Sequence, residues 1–167
     1  MEVRYSRRAA NRDEHIVVNG TASTLQPILP DADIWWRAFS RQDPDPSVVH
    51  AFGHAVRDRR VFLIGWVRQS LLARVRDERQ FVRLAWVLSA FPDLPLLPRD
   101  HERAASITRR MREIQVPVSA WSTLVWAVAE RLDGVVWSRE RHWQSLAIHG
   151  CPVWRQDTSV SPQSGTP

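Results

Sequence analysis

Short apolar runs alternate along this chain with stretches whose apolar residues recur at helical spacing, and this alternation narrows the fold more than any other feature. The runs at 27–31, 61–65, 94–97, 135–137 and 152–154 read as strands. Between them, Ile34, Trp35, Ala38 and Phe39 fit one helix face, and Val48, Val49, Phe52, Ala55 and Val56 fit a second. Asp45-Pro46 is a helix start, with the acid as N-cap and proline in the first turn. Further helices are expected through Val67, Leu71 and Leu72, through Phe81, Leu84, Ala85 and Leu88, and over 100–113 on Ala104, Ile107 and Met111. The mostly apolar stretch 118–132 predicts a central helix stopped by Gly134, and 140–148 a last one. Strands separated by helices imply crossover connections, hence an α/β fold with a parallel central sheet of about four to five strands and helices on both faces. Ligands of such sheets collect beyond the carboxyl ends of the strands. That rule alone sends Asp31 and the region of Glu140 to one edge.

The 167 residues suit one domain. Residues 1–25 read as a flexible basic arm, 26–154 as the folded unit and 155–167 as a disordered tail of polar and proline-containing composition. A single cysteine, Cys151, excludes an internal disulfide and suits a reducing compartment. The longest apolar runs are too short to cross a bilayer, and the first residues lack the apolar stretch of a secretory signal. A cytoplasmic protein without membrane contact is expected. The formal charge is +5, and all 23 basic residues are arginine. Guanidinium forks suit phosphate and carboxylate partners, although biased codon usage yields the same composition. Nine tryptophans are expected mainly in core and interface packing, with base stacking as the alternative.

Four segments carry a resemblance: ILPDADIWW from Ile28, GWVRQSLLARVRDERQF from Gly65, VPVSAWSTLVWAVA from Val116 and VWSRERHW from Val136. In this order and spacing they resemble the acidic-site segments of PIN-domain nucleases, especially VapC-type toxins, over roughly 27–154. The resemblance makes Asp31 the family's first acid. It puts Ser70 where a Glu and Ser122 where an Asp is expected, and Glu140 in place of an Asp. Arg139, Arg141 and His142 agree with the flanks of that last segment and are the candidate nucleic-acid contacts.

Such nucleases cut RNA with Mg²⁺ or Mn²⁺ held by converging carboxylates, which orient water and screen phosphate charge. Each carboxylate at contact contributes an attraction of roughly 4 kcal/mol at an effective dielectric of ~20, before repulsion and desolvation offset it. A hydroxyl adds no charge. Asp33 offers a compensating acid: if the first strand extends that far, period-two geometry turns it to the same side as Asp31. Asp31, Asp33 and Glu140 are thus the candidate catalytic and metal-binding residues. The alternative role for Asp33 is to cap the following helix. The resemblance implies a PIN-like protein related to toxin–antitoxin endoribonucleases, catalytically impaired and acting by RNA or protein binding. An active Mg²⁺- or Mn²⁺-dependent endoribonuclease with a rearranged site, and a structural subunit of a complex that binds no nucleic acid, are the alternatives. Homodimerisation and an antitoxin-like protein partner are implied as well.

Other cues are weaker. His50 and His54 stand at a zinc-capable spacing, yet HAFGH lacks the Glu of a metalloprotease motif, so surface or partly buried histidines are expected. His149 and Cys151 straddle a glycine turn and are assigned to packing. Ser122 has no GxSxG elbow, and no glycine-rich phosphate loop occurs. Asp77 and Glu78 are expected at the surface, and the RRMRE stretch on a solvated helix face.

Overall fold

The computed structural model describes residues 25–40, 45–91 and 93–154. The expected arm and tail lie outside the described residues, apart from Leu25. The elements run β1 (Ile28–Pro30), α1 (Ala32–Phe39), α2 (Pro46–Arg57), α3 (Gly65–Ala73), α4 (Glu78–Leu88), α5 (Pro98–Glu113), α6 (Ala120–Arg131), β2 (Val135–Trp137) and α7 (Arg141–Ile148).

Side chains just ahead of the helices explain where several of them begin. Asp45 caps α2 by accepting from the backbone N–H groups of Ser47 at 3.1 Å and Val48 at 3.2 Å, with Pro46 in the first turn. Asp77 does the same for α4 through Gln80 N at 2.9 Å. The helix expected to begin at Asp100 begins at Pro98, because Asp100 Oδ2 reaches back to Leu97 N at 2.8 Å and closes the first turn. At the end of α6 it is Asp133, not Gly134, that takes the left-handed conformation (φ 50°). Gly134 serves a different need. A Cβ there would meet the Pro27 carbonyl oxygen at 2.9 Å, so its lack of a side chain lets β2 start beside the residue preceding β1.

β1 and β2 pair in parallel, with Ile28 opposite Val135, Leu29 opposite Val136 and Pro30 opposite Trp137. The expected sheet of four to five strands is not shown in full: among the described residues there are two strands, with single parallel bridges joining Val61 to Ile28, Leu63 to Asp93 and Val153 to Val136. Hydrogen bonds still flank these bridges, as in Phe62 N to Ile28 O (3.0 Å), Leu94 N to Leu63 O (2.7 Å) and Trp154 N to Val136 O (2.7 Å). The ladders stop early for local reasons. Pro95 and Pro152 have no N–H to donate, and the run from Val61 turns into α3 at Gly65.

α6 lies against both strands and packs on α5 more extensively than any other two elements pack together. It is apolar nearly all round because it is buried on nearly every side. Thr108 and Thr123 hydroxyls bond at 3.1 Å across the α5–α6 contact, and buried Asp100 pairs with Arg131 at 2.7 Å. α1 follows β1 and is covered by α2 and α3. Trp35, Trp126 and Trp143 are completely buried, each removing apolar surface worth about 4 kcal/mol at ~25 cal/mol per Å². Trp35 meets Phe52 and Phe91 edge to face at 4.9 Å, which ties α1, α2 and the loop after α4 together.

Candidate functional site

Because β1 and β2 run in parallel and in register, the residues after them come out side by side. Asp31 N donates to Trp137 O at 2.9 Å, fixing the Asp31 turn against the 138–140 turn. Asp31 is the N-cap of α1, with Oδ1 accepting from Ala32 N at 2.8 Å and Oδ2 from Trp143 Nε1 at 2.8 Å. β1 does not extend to Asp33, so period-two geometry does not apply. Asp33 sits in the first turn of α1, and the capping role considered for it belongs to Asp31. The Asp33 carboxylate accepts from Ser138 Oγ at 2.9 Å and from Arg139 N at 3.0 Å. Ser138 is buried and its hydroxyl also accepts from Glu140 N at 3.1 Å.

Arg139 turns away from this turn. Its guanidinium pairs with Asp45 and donates to Ser47 Oγ at 3.2 Å, latching the start of α2 to the loop before α7. The Ser47 hydroxyl, at 2.7 Å, holds the Asp45 carboxyl below its ordinary range, with Val48 N–H and the Arg139 charge adding to it against some desolvation. Glu140 occupies the N-cap position of α7, but its side chain makes no capping bond. It is exposed, with Oε2 3.2 Å from His142 Nδ1. Arg141 and His142 are exposed beside it.

Asp31, Asp33 and Glu140 therefore stand at one edge, Asp33 by way of the first turn of α1. Ser70 and Ser122 are not joined to them: among the described residues no hydrogen bond links either serine to any of the three acids. Ser70 is half-buried on α3. Ser122 is buried at the third position of α6 and forms a reciprocal cap with Ser119, their hydroxyls 2.8 Å apart. A position where the resemblance expects a metal-binding Asp is here part of a helix start.

The donor set does not fit the divalent ion implied by the resemblance. Among the described residues, no three His, Cys, Asp or Glu side chains stand close enough together to hold a metal ion. Both Asp33 oxygens accept from the protein itself, and the two hydroxyl replacements bring no charge. Ser138 and Trp143 are the site residues that sequence reasoning missed. Asp33 lies 105 residues from Ser138 and Asp31 lies 112 from Trp143, beyond the reach of any local pattern.

No protein-family model matches the chain, and neither does the sequence of any curated protein. Solved structures do match in shape. FitAcB from Neisseria gonorrhoeae superposes with a TM-score of 0.59 at 18% identity, over 68% of this chain and 87% of that one. VapBC2 from Rickettsia felis, bound to a DNA fragment from their promoter, gives 0.61 at 10% identity, over 72% and 92%. The fold is PIN-like. At these identities the likeness concerns the path of the backbone, and the chemistry rests on the side chains described above.

Proposed function

We propose that this chain is a PIN-like protein, related to toxin–antitoxin endoribonucleases, that acts by binding a protein partner and not by metal-dependent hydrolysis. One observation carries the reading: the Asp31 and Asp33 carboxylates at the β1–β2 edge are engaged by the fold itself, through Trp143, Ala32, Ser138 and Arg139. Hydrolysis with Mg²⁺ or Mn²⁺ requires convergent, free carboxylate oxygens. Here they cap a helix and tie one turn to another.

An exposed apolar surface supports this reading. An apolar groove of about 640 Å³ runs between the end of α1, α2 and α4, lined by Phe39, Phe52, Val56, Trp86, Val87 and Phe91, with Arg57 also on its wall. Trp86 is 76% exposed there, and Phe81 and Val82 on the same helix are exposed too. An apolar surface of this kind with an arginine beside it suits an amphipathic segment that carries carboxylates. The resemblance makes an antitoxin-like chain the natural candidate.

RNA binding is the second reading, favoured by exposed Arg141 and His142 next to the acidic edge. One experiment separates the readings. The purified chain and its Asp31→Ala variant are incubated with structured RNAs and Mg²⁺ or Mn²⁺, and each is titrated with the product of any short reading frame beside its gene. The proposal expects no cleavage that depends on Asp31, and protein binding that Trp86→Ala weakens. Cleavage lost in Asp31→Ala overturns it. Tight, salt-sensitive RNA binding with no protein partner replaces it with the second reading.

A further inference from the structure

His50 and His54, set aside as surface residues in the sequence reading, have a geometry of their own on α2. Their Nε2 atoms lie 3.1 Å apart and their rings 4.4 Å apart at 66°. Both side chains are exposed, and neither ring has a carboxylate or carbonyl partner among the described residues. The i, i+4 spacing places the two rings one turn apart on one face, with the two Nε2 atoms facing each other.

We propose that His50 and His54 form a two-imidazole site for a divalent transition-metal ion. Two metal–nitrogen bonds of about 2.0–2.1 Å to atoms 3.1 Å apart subtend roughly 100°, between the octahedral and tetrahedral angles. The rings thus need little movement to become a chelate. Without a metal, the same contact requires one ring to donate and the other to accept, which two neutral imidazoles can do. Imidazole selects Cu²⁺, Ni²⁺ and Zn²⁺ over Mg²⁺, so this ion differs in kind from the one a PIN-type acidic site takes. Nothing braces either Nδ1, so the ion is an exchangeable one, with its remaining positions left to water or to a group from a bound molecule. The surrounding charge is mixed. Arg57 lies one turn beyond His54 and weakens cation binding, whereas Asp58, at the next position of the His50–His54 stripe, opposes that effect. A metal bridging this pair would staple α2 one turn beyond the Ser47–Arg139 latch.

The test uses the full chain without a polyhistidine tag and is independent of the proposed partner binding. Calorimetric titration with Cu²⁺, Ni²⁺ and Zn²⁺ should show one equivalent bound, tightest for Cu²⁺, and the paramagnetic resonance spectrum of the Cu²⁺ form should show two nitrogen ligands. The Tm should rise with free Ni²⁺ or Zn²⁺. His50→Gln and His54→Gln should each weaken binding by more than about tenfold and abolish the Tm shift. His101→Gln, an exposed histidine on α5, should change neither. Absence of binding by the native chain, persistence in both His50→Gln and His54→Gln, or loss in only one of them would overturn the proposal.

Discussion

The indole N–H of Trp143 donates to Oδ2 of Asp31 at 2.8 Å, joining the first and last helices of the described fold across 112 residues. Trp143 is completely buried whereas Asp31 is part-exposed, so the bond lies at the border of the core. It also orients Asp31 so that Oδ1 is left for Ala32 N at the start of α1. One carboxylate thereby starts a helix and holds a distant one, which is a structural role in a place where the resemblance suggests catalysis.

Trp143→Phe keeps most of the buried surface and removes the donor. It should lower stability by about 1.5–3 kcal/mol, the range for a hydrogen bond to a charged group. Trp143→Ala should lower it by about 3–5 kcal/mol through the cavity it opens. Urea unfolding of the two variants checks both figures. A Trp143→Phe variant as stable as the parent would mean that the hydrogen bond contributes nothing.

The pair Asp100–Arg131 predicts a larger asymmetry. Asp100 is 1% exposed and Arg131 reaches it from α6 at 2.7 Å, while also donating to Pro95 O at 3.1 Å. Arg131→Ala leaves a buried carboxylate without its cation and should cost about 3–5 kcal/mol. Replacing Arg103, whose pairing with Glu130 is largely exposed, should cost less than about 1 kcal/mol. Parallel thermal melts of Arg131→Ala and Arg103→Ala give the comparison.

Much of this architecture is legible in the sequence because it is written locally. Apolar spacing gives the helices, and Asp45-Pro46 gives the start of α2, since cap and first turn lie within a few residues. The parallel pairing of β1 and β2 also follows, because helices separate the runs. Sheet width does not follow: whether a β-branched run makes a strand or one bridge depends on how soon proline or the next helix interrupts it, as at Pro152 and Gly65. The placing of Asp31 and the region of Glu140 on one edge was legible from topology, whereas Asp33 reaches it from the first turn of α1 and not from an extended strand. What occupies their oxygens was not, because Ser138 and Trp143 are brought there only by the fold.

Gly134→Ala should destabilise the protein by about 1–3 kcal/mol, despite the higher helix and strand propensity of alanine. The new Cβ would lie 2.9 Å from a backbone carbonyl oxygen and 3.2 Å from the Pro27 ring, neither of which is a flexible side-chain end. Separation of β1 from β2 at that end should follow, visible as faster amide exchange at Val135, whose N–H bonds Pro27 O at 2.9 Å.

Two titrations bound the stability of the protein from opposite ends of the pH scale. Asp45 has its folded pKa depressed, first by Ser47, so the native state binds its proton less readily than the unfolded chain does. Its contribution is complete above the ordinary value of 3.8 and fades as pH falls through the lower folded value; Ser47→Ala should shrink this acid-side effect. Cys151 behaves in the reverse sense. Burial, then the Glu130 charge, pushes its thiol up to about 12, so its contribution is complete below the ordinary 9.0 and is lost as pH rises toward 12. The same neutrality makes the thiol a poor nucleophile. At pH 8 an aromatic disulfide reagent should label native Cys151 far more slowly than the denatured chain, and the native rate should climb with pH above 9 more steeply than that of a free thiol. Labelling of the native protein at the free-thiol rate would show that Cys151 is not held in the buried site at the end of α7.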